Sequence, residues 1–304
     1  MTKATDVTRI LVSVQFNEAG EQLLAYAGEL AKAFGAELIL LHTTQAQQLT
    51  FTQQSRAIHT LRCFGERVLM RQYKAGSGFA RFECVIRPGS LRQSIKPVVQ
   101  DYKVDLVLLE ATPLPSTTEA KDNHAAAVME QVDCPVMVVP PAAHFRQLNN
   151  LVFTTDFTDR DPKVLDRIAN FAQQAQAKLT LVQIVSHKNK PQLNNLKAGI
   201  REVEQQLKGA NTTIKLLEEE DMLEGISDFA EREQANMLIL ATQDNHLMER
   251  LFSTNYVKTM AYHTQIPLLV FRQQKNKPCS GCCTNCAGKL KQPQTLLTLP
   301  TLGE

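Results

Sequence analysis

The chain has no tryptophan, few aromatic residues, almost no excess of charge and no long apolar run. Each absence removes a class of protein. Thirty-three Lys and Arg face 31 Asp and Glu, a formal charge of +2, so no chain-wide surface for nucleic acid or another polyanion is expected. The longest apolar stretches, such as Leu106-Val107-Leu108-Leu109, have the length of a strand and fall short of a bilayer. The opening MTKATDVTRI lacks the apolar centre of a signal peptide, which makes a cytoplasmic location the expectation. Absent too are a G-x-S-x-G elbow, a Walker loop and an H-E-x-x-H pair. The histidines are scattered: His42 reads as a core-edge residue, His263 as structural, His246 as solvated. No spacing unites a nucleophile, a base and an orienting group, so catalysis is disfavoured. Seven cysteines, an odd number with four of them inside residues 279–286, do not read as a secreted disulfide framework.

What the chain does have is length and a repeat. Its 304 residues are enough for about two domains with cores of their own. A shift of 141 lays ILVSVQF (10–16) on LVFTTDF (151–157) and brings Leu24 onto Leu165, Ala31 onto Ala172 and Leu38 onto Leu179. Further along the offset falls by about ten, setting DLVLLE (105–110) against NMLILA (236–241) and CPVMVV (134–139) against IPLLVF (266–271). Five elements in one order point to duplication of a domain. Each copy alternates strand and helix. The first reads as strands at 9–15, 36–43, 79–87, 105–110 and 134–139, with helices near 20–34, 46–72, 91–102 and 123–131. The second reads as strands at 151–155, 178–185, 212–218, 236–241 and 266–271, with helices at 162–175, 194–208, 222–234 and 249–262. Strands apolar throughout and separated by helices imply parallel sheets covered on both faces, an α/β fold present twice. The expected domains are 1–145 and 146–272, with a Cys-bearing tail over 273–304 that has little material for a core.

LVFTTDFT and YHTQIPLLVF in the second copy, and ILVSVQFN and VDCPVMVVP in the first, carry a resemblance to the tandem members of the universal stress protein family. The resemblance spans about residues 8–272 and leaves the tail outside. It implies open five-stranded parallel sheets in the order 3-2-1-4-5 with helices on both faces. It also implies pairing through the last strand, which makes the partner expectation an intramolecular pseudo-dimer or a homodimer. A regulatory or binding role in stress response, alongside an unidentified protein partner, is what the family implies for function.

In such a sheet a ligand sits beyond the carboxyl ends of the strands where the order reverses, between the first and fourth strands. In the second copy that crevice is faced by Asp156, Phe157 and Thr158 on one side and by Ala241, Thr242, Gln243 and Asp244 on the other. In the first copy it is faced by Gln15, Phe16 and Asn17, then by Glu110, Ala111 and Thr112. ATP-binding members of the family carry Gly, two residues, Gly, nine residues, then Gly-Ser or Gly-Thr. The glycines admit phosphate to backbone N–H groups, and the hydroxyl caps a helix whose amino end attracts anions. The second copy keeps the spacing as Ala241, Asp244, Thr254 and Asn255 but has lost the glycines, and Asp244 sets a negative charge where phosphate would approach. Asp156 matches the family's nucleotide-contacting aspartate, although Asp after a strand also serves as a turn or cap residue. The first copy departs further, with Glu110, Pro113 and a glycine-free loop. The crevices therefore read as degenerate for ATP, with AMP, another small polar ligand or none left open in the second copy.

The tail carries Cys279, Cys282, Cys283 and Cys286, two C-x-x-C pairs back to back. Four thiolates suit zinc or another thiophilic metal, Cu(I) or an iron–sulfur centre. The adjacent Cys282 and Cys283 side chains diverge, so one tetrahedral site would be strained and two tails sharing an ion is an alternative. A redox dithiol and an incidental cluster are the competing readings. Lys275, Lys277, Lys289 and Lys291 flank the cluster without interleaved aromatics, which favours solubilising flanks over a nucleic-acid surface.

Overall fold

The computed structural model describes residues 6–71, 80–111, 125–141, 143–155, 161–185, 193–207, 210–219, 222–242 and 266–272. The first copy opens with strand β1 (Arg9–Ser13), helix α1 (Glu18–Phe34), β2 (Glu37–Thr44), α2 (Phe51–Met70) and β3 (Phe82–Pro88). It continues with α3 (Leu91–Asp101), β4 (Leu106–Glu110), a short α4 (Ala125–Met129) and β5 (Val136–Val139). The second copy supplies β6 (Asn150–Thr154), α5 (Pro162–Gln174), β7 (Lys178–Val185), α6 (Leu193–Gln206), β8 (Asn211–Glu218), α7 (Met222–Arg232), β9 (Met237–Thr242) and β10 (Leu268–Arg272). The helix expected over 249–262 lies outside the described residues.

The two five-stranded sets join into one ten-stranded sheet of order β3-β2-β1-β4-β5-β10-β9-β6-β7-β8. Each half reads 3-2-1-4-5, and every pairing within a half is parallel. The halves meet where β10 runs antiparallel to β5, with Leu268 opposite Val138, Leu269 opposite Met137 and Val270 opposite Val136. This junction gives each half's last strand a partner, and so removes an edge that a lone five-stranded sheet would leave open. The repeat offset is visible in the elements. β1 and β6 begin at 9 and 150, and β2 and β7 at 37 and 178, both 141 apart, whereas β4 and β9 begin at 106 and 237, which is 131. The shortening falls in the crossover from the second to the third strand, where β2 and β3 begin 45 residues apart and β7 and β8 begin 33 apart.

Successive strand residues supply opposite faces, as strand geometry requires. Ile10, Val12, Leu38, Leu40, Leu106, Leu108, Leu151 and Phe153 pack beneath α1, α2, α5 and α6. Leu11, Ile39, Leu41, Val107, Leu109, Val152 and Val270 pack beneath α3, α4 and α7. With apolar side chains wanted on both faces, the strands lose their polar alternation and read as continuous apolar runs.

Local chemistry sets the ends of the elements. α1 starts where Asn17 accepts a hydrogen bond from the Gly20 N–H at 2.8 Å, and it stops at Gly35, whose φ of +65° is left-handed. α2 starts at Phe51, later than the periodicity suggests, because Thr50 and Gln53 form a reciprocal capping box. Pro88 closes β3 as its last residue on an edge strand, and the chain turns at Gly89 with φ +86°. α3 runs on through Pro97.

Candidate functional site

In each half the central strand lies between a neighbour from either side of the order reversal. β1 lies between β2 and β4, and β6 between β7 and β9. The crevice beyond the carboxyl ends of β1 and β4, and its counterpart at β6 and β9, are therefore the places where this sheet can admit a ligand.

In the first copy the described residues at these strand ends lie in two runs, 14–17 and 110–111. After β1 the chain passes Val14, Gln15 and Phe16 to the cap of α1 at Asn17. α1 approaches this loop so closely that a Cβ on Gly20 would stand 1.9 Å from the Gln15 carbonyl oxygen, so only glycine fits there. Phe16, 42% exposed, stacks on the His42 ring at 4.3 Å between centroids and meets Phe64 edge-on at 5.4 Å. His42 is anchored in turn, its Nδ1 lying 2.8 Å from the Val14 carbonyl. A carbonyl can only accept, so Nδ1 carries the proton and the imidazole holds the loop after β1 against β2. The Arg67 guanidinium closes the cluster over the Phe64 ring at 5.3 Å.

On the other wall, Glu110 is the last residue of β4, opposite Val139 of β5, and is half-buried. Burial pushes its carboxyl above the usual carboxylate range. Ala111 follows, with its N–H donating to the Val139 carbonyl at 2.8 Å. The first crevice thus joins an acid at the end of β4 to a self-stacked aromatic cluster at the ends of β1 and β2. Among the described residues of these two runs, 14–17 and 110–111, there is no glycine to bring backbone N–H groups against a phosphate.

In the second copy Thr154 ends β6 opposite Leu240 of β9, with its hydroxyl 3.4 Å from the Ile239 carbonyl. Thr155 continues the edge, its N–H donating to the Val182 carbonyl at 3.1 Å. Ala241, the residue matching Glu110 in the repeat, is the penultimate residue of β9, opposite Phe271 of β10, and is partly buried. The carboxylate of the first crevice therefore has no counterpart at this position. Asp156, Asp244, Thr254 and Asn255 lie outside the described residues, and so do Cys279, Cys282, Cys283 and Cys286. Among the described residues no group of three His, Cys, Asp or Glu side chains is placed to hold a metal ion. The three described cysteines stand apart as free thiols, Cys63 exposed, Cys84 half-buried and Cys134 buried at the entry to β5.

The strand ends that line the crevices were readable from the apolar runs, but the stacking of Phe16 with His42 and Phe64 was not. Those three residues come from a loop, a strand and a helix, and no spacing links them.

The universal stress protein family model matches residues 7–140 and again residues 148–272. No curated protein sequence matches the chain. Among solved structures, a universal stress protein from Archaeoglobus fulgidus is similar at 12% identity and a TM-score of 0.63, covering 90% of this chain and 98% of that one. A functionally unknown protein from Pseudomonas aeruginosa is similar at 15% identity and a TM-score of 0.54, covering 88% of this chain and 92% of that one. At such identities the likeness concerns the fold. Among the described residues no helix is long and apolar enough to cross a membrane.

Proposed function

Because the chain belongs to the universal stress protein family, we propose that it is a regulatory or binding protein of the stress response whose crevices have largely lost ATP. Its parts on this reading are a first copy over 1–145, a second over 146–272 and a cysteine-bearing tail over 273–304. The observation that carries the reading is the first crevice, where β4 ends in a half-buried Glu110 carboxyl at the position where the family's ATP-binding loop begins with glycine. When ionised, that carboxyl repels a polyphosphate, and the missing glycines restrict backbone approach. In the second crevice the loss of glycine at 241 and the Asp244 carboxylate act in the same direction.

A second reading is an adenine-nucleotide switch, with weak hydrolysis at most, that uses the second crevice through Asp156, Thr254 and Asn255. Ala241 in place of Glu110 favours it, since one repelling carboxylate is absent there. Calorimetry with ATP and AMP decides between the two. Weak or undetectable ATP binding is expected, any residual binding falling on Asp156→Ala. Sub-micromolar ATP affinity, or nucleotide that co-purifies in native mass spectrometry, overturns the first reading in favour of the second.

The tail gives this protein a metal- or redox-responsive element through Cys279, Cys282, Cys283 and Cys286. Thiolate ligands must shed protons, so bound zinc or a similar thiophilic ion is expected to weaken as pH falls. Native mass spectrometry of reduced, chelator-free protein should find near-stoichiometric metal that disappears on deletion of 273–304 or on joint replacement of Cys282 and Cys283 by Ser. Protein that takes up no zinc, Cu(I) or iron refutes metal binding, and thiol counts before and after mild oxidant then test the redox role.

A further inference from the structure

We propose that a cleft between the two copies, at the amino ends of β4 and β5, binds a small organic oxyanion, a carboxylate or phosphate monoester borne on a short apolar body. The cleft is distinct from both crevices, which lie at the carboxyl ends of the strands. Its volume is about 360 Å³, within the range of small-molecule sites. Lys96 and Lys103 enter it from α3 and the turn after it, and Arg167 from α5 of the other copy. Its apolar walls include Val99, Phe171 and Phe271.

The central observation is Arg167. Its guanidinium is half-buried and lies over the Phe271 ring, 5.9 Å from the centroid. Of the five N–H donors a guanidinium carries, one hydrogen bond is made among the described residues, from Nη1 to the Asp133 carbonyl at 3.0 Å. Arg167 forms no ion pair within 4.0 Å of Asp105 or Asp133, the two carboxylates lining the cleft. Asp105 is engaged elsewhere, its Oδ2 accepting from the Thr8 N–H at 2.9 Å, the Thr8 hydroxyl at 2.8 Å and the Arg9 N–H at 3.0 Å. Half-buried donors without acceptors are costly to leave unmet, and a planar guanidinium matches a carboxylate or phosphate oxygen pair.

The charge count agrees. Lys96, Lys103 and Arg167 against Asp105 and Asp133 leave the lining at a formal +1. Burial pushes the neighbouring Cys134 thiol up to about 12, so it stays neutral and adds no repulsion. An oxyanion at Arg167 would meet unspent donors and the lysines at the mouth, while its apolar body lies along Phe171 and Phe271. Because the lining comes from both copies, such a ligand would hold them together and raise the melting temperature.

The full chain titrated by calorimetry with benzoate, and separately with phenyl phosphate, tests this, with the two arms distinguishing carboxylate from phosphate. Inorganic phosphate serves as the anion without a body, and benzyl alcohol as the body without a charge. At least one of the two organic anions is expected to bind with a dissociation constant below about 1 mM and to raise the melting temperature. Arg167→Gln should weaken that binding about tenfold or more, and joint Lys96→Gln and Lys103→Gln should weaken it several-fold with a smaller salt dependence. Lys163→Gln, exposed on the same helix and outside the cleft, should leave it unchanged. Failure of both anions to bind overturns the proposal, as does equal binding by benzyl alcohol. The exposed lysine pair gives a variant free of Arg167's link to the Asp133 carbonyl, and binding by that variant as tight as wild type also overturns it.

Discussion

Replacing Gln174 with Ala should cost this protein about 2–3 kcal/mol of stability, from three net hydrogen bonds of ~0.5–1.5 kcal/mol each with some allowance for partial exposure. Gln174 stands at the end of α5 in the second copy and reaches back into the first. Its Oε1 accepts the Val7 N–H at 2.8 Å, and its Nε2 donates to the Val7 carbonyl at 2.9 Å and the Phe34 carbonyl at 3.2 Å. Val7 is only 7% exposed, so water replaces these partners incompletely. Phe34 stacks edge-on against Phe171 of the same helix at 5.1 Å, which keeps the surroundings from collapsing onto the missing amide. Ala gains a few tenths of a kcal/mol of helix propensity over Gln. The neighbouring Gln173→Ala shares that gain, and Gln173 is exposed with no side-chain hydrogen bond among the described residues. Equilibrium urea unfolding of both variants reads the difference as a lower midpoint for Gln174→Ala at unchanged slope, with Gln173→Ala within ~0.5 kcal/mol of wild type. A Gln174→Ala loss no larger than that of Gln173→Ala would refute the reasoning and show that the copies are held by the sheet junction and apolar packing alone.

Three further outcomes follow from the geometry. Gly20→Ala places a Cβ 1.9 Å from the Gln15 carbonyl oxygen, so α1 or the loop after β1 must shift, and thermal unfolding should show a loss of about 1–3 kcal/mol, the usual range for overpacking. Leu269→Ala opens a cavity at a fully buried position opposite Met137 in the β5–β10 junction and should cost about 2–5 kcal/mol in urea unfolding; a loss under 1 kcal/mol would mean that the junction adds little. Burial raises the Glu110 carboxyl above its unfolded value, so the folded state favours the protonated acid. The stability this gives is present below the ordinary carboxylate range and lost as pH rises through the folded value. Glu110→Gln keeps a neutral side chain at every pH, so it should melt higher than wild type at pH 7 and converge with it in acid; an advantage independent of pH would count against that cause.

The sequence by itself determined the parts and their order. Leu11 and Val12 go to opposite faces of β1, and both faces are covered, so the strand had to read as an apolar run; the same holds for Leu38 through Leu41 and for Leu106 through Leu109. Asn17, the Thr50–Gln53 box and Gly35 mark helix ends through contacts only a few residues apart. The repeat survives in the strands, at an offset of 141 for β1/β6 and β2/β7 and of 131 for β4/β9, because duplication preserved their order and most of their spacing. The ends of β4 and β9, and with them Glu110 and Ala241, could be located for the same reason.

Tertiary structure alone decided what joins positions far apart in the chain. Pairing of the last strands was already implied by the family resemblance, but its register, with Leu269 of β10 opposite Met137 of β5, depends on how the second copy docks against the first. So does the bond from Gln174 to Val7, 167 residues away, and the lodging of Arg167 beside Phe271 and the entry to β5. The stack of Phe16 on His42 and Phe64 needs three elements brought to one corner of the sheet. Local periodicity reports only which face of an element seeks apolar cover, and a glutamine or an arginine on a helix reads as a solvated residue until another element packs over it.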